Sequence, residues 1–255
     1  MNSFERRNKI VEMVNEQGSA LVLELSNTFG ISEVTIRADL RLLEEKGLVT
    51  RFHGGAAKPG SPLGESEEVL PEDHYKLTSD PKKRIARTAA AMIEEGMTII
   101  LDSGSTTQLI AEALAKKTDI TVITNSLPAA FTLAENKDIT LVVCGGTVRH
   151  KTHSMHGTIA ERSLQGISAD LMFVGADGID TSNGITTFNE GYSISAAMAA
   201  AAHQVIAVLD ATKFKRRGFN QVLPIEKISC VITDRGISAE DKAEMLAAHV
   251  ELIVV

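Results

Sequence analysis

Apolar residues first recur at helical spacing between Phe4 and Asn15, where Ile10, Val11 and Val14 stand among charged neighbours. Gly18 is placed to end that helix. A second short helix is predicted over about Val22–Phe29, with Leu25 and Phe29 four residues apart on one face. Gly30-Ile31 make a turn, Ser32 is a favourable N-cap, and Glu33 suits the first turn of a third helix. On that helix Ile36, Leu40 and Leu43 fall at i, i+4 and i+7, which sets a buried stripe. At roughly 100° per residue, Val34, Ala38 and Arg41 lie opposite the stripe, with Thr35 and Arg37 on its flanks. Gly47 ends the helix. Leu48 to His53 then alternate as a strand, and Gly54-Gly55 turn it.

From Ala57 the composition shifts to Pro, Gly, Ser and Glu without any period, so residues 58–79 read as a linker. Asp80 and Pro81 form an N-cap and N1 pair for a helix through Ile85, Ala89 and Met92 to Glu95, stopped by Gly96. Continuous apolar strands then alternate with helices. Strand Met97–Leu101 leads into helix Gln108–Lys116, strand Ile120–Thr124 into helix Pro128–Glu135, and strand Ile139–Val143 into a loop reaching Arg149. Strand Leu171–Val174, a polar stretch over Ser182–Glu190, an Ala-rich helix over Ser195–His203, strand Val205–Leu209, and the runs Ile228–Thr233 and Val250–Val255 follow. Strands without alternation imply a mostly parallel sheet covered on both faces. The expected organisation is a winged helix-turn-helix over 1–57, a linker over 58–79 and an α/β domain over 80–255.

Charge narrows what the first domain does. Met1–Lys58 holds eight Lys/Arg against eight Asp/Glu, and the rest of the chain carries the whole net charge of -7. A broad basic patch is therefore excluded, and DNA recognition has to rest on local geometry. Arginine binds guanine bidentately, while Val34, Ala38 and the Thr35 methyl suit thymine methyls. The DNA-reading set is Ser32, Val34, Thr35, Arg37, Ala38 and Arg41, with Arg51 and His53 from the wing. The bland alternative is a small helical bundle whose arginines are merely solvated. A neutral module binds weakly as a single copy, which implies that the second domain holds several copies together. Cys144 and Cys230 sit in apolar runs and are expected as buried free thiols in a reducing cytoplasm. No run reaches transmembrane length and no signal-peptide core opens the chain, so no membrane partner is expected.

Polar loops in the second domain stand where strands end and helices begin, the usual place for ligands in an open α/β sheet. Asp102-Ser103-Gly104-Ser105-Thr106-Thr107 offers hydroxyls, a glycine and helix N-terminal amides, the parts that hold a phosphate, although ordinary capping uses the same residues. Asn125-Ser126, Gly145-Gly146 with Arg149, Gly175 with Asp177, and Lys213 form companion loops. Arg149 and Lys213 are suited to balance a phosphate dianion; Asn125, Asp177, Asn189 and Glu190 to bind sugar hydroxyls. His150, His153 and His156 are spaced three apart, but they lack a carboxylate or Cys partner nearby and are read as a loop, with no metal expected. The basic run Lys213–Arg217 reads as a solvated loop with Lys213 turned inward.

Val34-Thr35-Ile36-Arg37-Ala38-Asp39-Leu40, Leu43-Glu44, Gly47-Leu48 and Arg51-Phe52-His53-Gly54-Gly55-Ala56 together resemble the signature of DeoR-type bacterial repressors. The loops over residues 80 to 255 resemble that family's sugar-phosphate sensing domain, itself similar to ribose-5-phosphate isomerase. Where the isomerase carries an acidic Asp-Gly-Ala-Asp-Glu segment, this chain reads Val174-Gly175-Ala176-Asp177-Gly178. Thr187-Phe188-Asn189-Glu190 stands in the region of the isomerase's Lys-Gly-Gly-Gly. The binding loops are kept and most acid/base groups are lost, so no catalytic residues are expected. The segment Thr187 to Ser195 departs from the commoner family pattern and is similar to that of regulators of hexitol uptake, with a galactitol operon as the implied target. The resemblance thus implies a cytoplasmic repressor that binds operator double-stranded DNA as a homo-oligomer, a dimer or tetramer. Its implied effector is a phosphorylated sugar or polyol, with no other cofactor. The rival reading is a sugar-phosphate isomerase with an appended DNA-binding domain.

Overall fold

The structure is a computed structural model of the chain and describes residues 3–52, 55–59, 79–187, 194–218 and 220–255. The chain divides into two compact units, Met1–Val69 and Leu70–Val255.

In the first unit the elements are α1 (Ser3–Gln17), β1 (Ser19–Leu21), α2 (Val22–Phe29), α3 (Glu33–Glu45), β2 (Thr50–Phe52) and β3 (Gly55–Ala57). Gly30 adopts the left-handed conformation, φ 65°, which ends α2 and turns the chain into α3. Ser32 caps α3 by accepting from the Thr35 amide at 3.3 Å. Ile10 and Val14 of α1, Leu25 of α2, and Ile36, Leu40 and Leu43 of α3 share one core with Val49 and Ala56. The wing differs from expectation. Its strand is Thr50–Phe52 rather than Leu48–His53, and Gly55 belongs to β3 rather than to the turn. The three strands form an antiparallel sheet in the order β1-β3-β2. Ser-Ala-Leu and Gly-Ala-Ala are too short and too small to show a two-residue alternation, so β1 and β3 left no signal. His53, Gly54 and residues 60–78 of the expected linker lie outside the described residues.

The second unit runs α4 (Ser79–Ala91), β4 (Thr98–Leu101), α5 (Ser105–Leu114), β5 (Thr121–Thr124), α6 (Leu127–Ala134) and β6 (Thr140–Val143). The hairpin β7 (Thr147–Arg149) and β8 (Ser154–His156), helix α7 (Thr158–Arg162) and strand β9 (Ala169–Val174) follow. Next come β10 (Gly178–Asp180), β11 (Gly184–Thr187), α8 (Ser195–Ala200), β12 (Ala202–Val208), β13 (Asn220–Leu223), β14 (Cys230–Thr233), α9 (Ala239–Ala247) and β15 (Glu251–Val254). Seven strands form one sheet, β15-β14-β12-β9-β4-β5-β6, and every pairing in it is parallel. Neighbouring residues of β4 serve opposite faces, as strand geometry requires. Ile99 and Leu101 join Ile85, Ile110 and Leu133 in one core; Ile100 joins Ala160, Met198 and Met245 in the other. Burying each such Ile or Leu contributes about 1.5–3 kcal/mol, so the two half-cores hold the sheet between its helix layers.

Five expectations are corrected. Helix α4 stops at Ala91, not Glu95, because the Met92 and Ile93 amides bond three residues back, to Ala89 and Ala90, and turn Ile93 into the core. Its first residue is Ser79, so Asp80 lies in the first turn instead of capping it. Helix α5 begins at Ser105 rather than Gln108, which makes Ser105, Thr106 and Thr107 its first turn. The expected loop before Arg149 is the start of the β7–β8 hairpin, and Gly184–Thr187 of the polar Ser182–Glu190 stretch form β11, part of a small antiparallel sheet β10-β11-β13. Helices α7 and α9 and both short sheets have no counterpart among the expected elements.

Candidate functional site

Helix α3 presents the face its periodicity sets. Val34 is 77% exposed, and Thr35, Arg37, Ala38 and Arg41 are exposed beside it. The residues differ in what they have left to offer DNA. Ser32 is committed to its cap, its hydroxyl 3.0 Å from that of Thr35. Arg37 pairs with Glu33 at 3.2 Å, and Arg51 pairs with Glu44 at 3.4 Å while its amide donates to the same carboxylate at 3.0 Å. Among the described residues Arg41 makes neither a hydrogen bond nor an ion pair, so it is the arginine of α3 poised for a new partner. His53 lies outside the described residues.

A buried carboxylate on the inner face fixes this helix. Asp39 is 3% exposed and accepts from Arg6 Nε at 2.6 Å and from Arg7 Nε at 2.9 Å. Two guanidinium groups of α1 thus grip one carboxylate of α3, and the trio keeps a net positive charge. The signal was present: Asp39 is three residues after Ile36 and four before Leu43, which puts it on the inner face.

In the second unit the strand order reverses between β4 and β9, and the crevice at the carboxyl ends of the strands there is the usual ligand position. Asp102 stands at its centre. Its amide donates to the Phe173 carbonyl at 3.0 Å, and its carboxylate accepts from the Ser103 amide at 2.7 Å and from the Ser195 hydroxyl. Burial pushes the Asp102 carboxyl above its ordinary range, and the Ser195 and Ser103 hydrogen bonds only partly offset this. His156 adds a favourable field from the hairpin side, its Nε2 lying 2.7 Å from the Ser154 hydroxyl.

Next to Asp102, the amides of Ser105 and Thr106 open α5. Thr107 spends its hydroxyl on the Gly104 carbonyl at 3.0 Å. Asn125 is fully buried after β5; its Nδ2 donates to the Met155 carbonyl at 3.3 Å, while its Oδ1 is buried with no hydrogen-bond partner among the described residues. Ser126 caps α6 through the Ala129 amide at 3.3 Å. Gly175 has open space where a side chain would stand.

A second cluster follows β9 and β12. Asp177 accepts from the Thr187 hydroxyl at 2.7 Å. Lys213 is only 9% exposed, near Asp177, Asp210 and Arg216, and its ammonium makes no hydrogen bond among the described residues. Lys82, from the first turn of α4, is 3% exposed and faces Asp210 and Lys213. Burial lowers both lysines, Lys82 to about 8. Lys82 is not among the expected site residues, although Ile85, Ala86 and Ala89 follow it at helical spacing and put it on the buried face. Ser195, missed as a site residue, carries no comparable signal.

The remaining expected residues are placed differently. Gly146 serves packing: a side chain there would lie 2.5 Å from the His156 carbonyl. Gly145 faces Ile159, and Arg149 lies on β7 opposite Ser154, in the hairpin rather than at a sheet strand end. Asn189 and Glu190 lie outside the described residues. Among those residues no group of three His, Cys, Asp or Glu side chains is arranged to hold a metal ion. Cys144 and Cys230 are free and buried.

Comparison with known proteins agrees across the chain. The family described as "DeoR-like helix-turn-helix domain" matches residues 6–61, and "DeoR C terminal sensor domain" matches residues 78–235. A protein of Escherichia coli O157:H7, named for an aga operon transcriptional repressor, is 37% identical over 98% of this chain and 93% of its own length. A protein of Escherichia coli K12, named for a galactitol utilization operon repressor, is 60% identical over 100 residues, 38% of this chain and 89% of its own. Among solved structures, ribose 5-phosphate isomerase A of Methanocaldococcus jannaschii aligns with 53% of this chain and 54% of its own at 20% identity, TM-score 0.39. The family is regulatory, so the isomerase alternative falls. The chain belongs to the DeoR family of helix-turn-helix transcriptional regulators.

Proposed function

We propose that the chain is a cytoplasmic repressor of a galactitol or related hexitol operon, and that a phosphorylated sugar or polyol bound at the β4/β9 crevice releases it from its operator. The observation that carries the reading is Lys213, a residue only 9% exposed at the strand ends, whose ammonium makes no hydrogen bond among the described residues. A phosphate dianion supplies the missing acceptors, and Lys82 stands next to it. The other end of the crevice is rich in acceptors. Leaving a buried acceptor such as Asn125 Oδ1 unmet costs about 1–3 kcal/mol, and a hydroxyl of the ligand meets it. The partial relative named for galactitol utilization supports the choice of operon.

Release follows from differential affinity: the effector binds better to a form whose helices α3 cannot engage the operator together, and operator affinity falls in proportion. The test is a gel shift on DNA upstream of the neighbouring hexitol genes, with and without hexitol and ketose phosphates. A specific shift abolished by a phosphorylated compound, and not by its unphosphorylated parent, is expected. No phosphate-dependent change over the whole panel overturns the effector assignment.

A further inference from the structure

Five large apolar side chains of the second unit stand in solvent around one edge of its sheet: Leu127 and Phe131 of α6, Val143 of β6, Val148 of β7 and Ile159 of α7. Phe131 is 78% and Ile159 70% exposed. They belong together. Leu127 and Phe131 are one turn apart, α6 packs on β6, and Ile159 reaches to within 3.6 Å of a side-chain position at Gly145, two residues after Val143. Because α6 contributes to one half-core and α7 to the other, the patch wraps the edge strand from both faces. The opposite edge, β15, has only Leu246 comparably exposed among the described residues.

The strand between these flanks is open. Thr140 donates to the Ile120 carbonyl just before β5 and Cys144 to the Thr124 carbonyl at its end, so alternation turns the N–H and C=O groups of Leu141 and Val143 outward. Neither a proline nor an inward charge protects this edge.

We propose that β6 pairs antiparallel with β6 of a second copy about a two-fold axis at Val142, continuing the sheet across the dimer. The axis matches Leu141 with Val143 of the second copy, and the reverse, so all four outward backbone groups on each strand are used. It also sets Lys137 and Asp138 against Thr147 and Gly146 of the second copy, so no like charges meet. The five side chains offer roughly 500 Å² per copy, at the upper end of what a monomer leaves exposed. With the paired strands, two copies reach the area of about 1,200 Å² at which stable interfaces begin. The pairing also supplies the second reading helix that a neutral DNA-binding module needs, and it stands apart from the effector assignment.

Analytical ultracentrifugation of the full chain, with hydrogen exchange at Leu141 and Val143, tests it. The expected result is a dimer or a multiple of one, with both amides protected and the protection lost on dilution. The double variant Phe131→Asp, Ile159→Asp gives a smaller species with the same circular dichroism, while Leu246→Asp leaves the size unchanged. A monomer at tens of micromolar, or an oligomer in which both amides exchange freely, overturns the proposal. Should the double variant misfold, the exchange of the wild-type amides decides alone.

Discussion

The hydroxyl of Ser195 donates to the carboxylate of Asp102, joining the first turn of α8 to the residue that follows β4. Ninety-three positions separate the two in sequence, and no local pattern announces the contact. It holds a carboxylate in a place that burial makes unfavourable for its charge.

That cost has a pH signature. With its folded value raised, Asp102 keeps a proton at pH values where the unfolded chain has lost it, so folding takes up a proton. Stability therefore falls as pH rises from the ordinary carboxylate range through the raised value. Asp102→Asn removes the charge and keeps an acceptor. Its Tm at pH 7 is expected to equal or exceed that of wild type, by about 2–4 °C for each kcal/mol relieved, with the gap closing towards pH 4. Its response to effector is expected to be lost. A variant less stable than wild type at pH 7 and equally responsive contradicts both halves.

Lys82 gives the opposite slope. Held at about 8, it has released its proton over pH 8 to 10.5 while the unfolded chain keeps it, so stability rises with pH across that window. A phosphate beside it restores the proton. Effector binding at pH 8–9 is then coupled to proton uptake, and affinity falls with rising pH by up to about tenfold per unit. Titration calorimetry in two buffers of different ionisation enthalpy reads the uptake directly. Lys82→Met is expected to weaken a phosphorylated effector about ten- to hundredfold, the worth of one charge-assisted bond, without lowering Tm at pH 7.

These two residues show where the sequence was readable. The faces of α3 follow from helical periodicity and the parallel sheet from apolar strands that do not alternate, and the buried residues realise both. Lys82 and Asp39 obey the same periodicity; their charge disguised their position on the inner face. Ser195 and the hairpin partners of Gly146 depend on contacts between distant segments, which no local pattern carries. The three-residue strands β1 and β3 are too short for any period to emerge, and α5 began early because Gly104 accepts from Gln108 and opens the helix three residues sooner.

On DNA the arginines of α3 separate by what already holds them. Arg41 is uncommitted, whereas Arg37 must leave Glu33 before it reaches a base. Arg41→Ala is expected to lower operator affinity by about 1–3 kcal/mol, the worth of one bidentate base contact, with Tm unchanged. Arg37→Ala is expected to cost less, because the salt bridge it gives up offsets part of the contact. Fluorescence anisotropy on the operator at fixed salt, set against a scrambled duplex, measures both. Equal losses on the two duplexes assign Arg41 to the phosphate backbone rather than to a base.

The grip of Arg6 and Arg7 on Asp39 makes the last prediction, because removing one partner of a buried pair leaves charge without compensation. Side-chain exposures of 11% for Arg6 and 5% for Asp39 put this group well inside the first unit. Asp39→Ala is expected to destabilise that unit by about 3–5 kcal/mol, seen as faster hydrogen exchange in α1 and α3 with no change in α5 or β9. Arg7→Ala leaves the Arg6 bond intact and is expected to cost clearly less, since Arg7 is the more exposed partner at 26%. If the two variants cost the same, the carboxylate is not the centre of the clamp, and the stability of α3 rests on its apolar stripe alone.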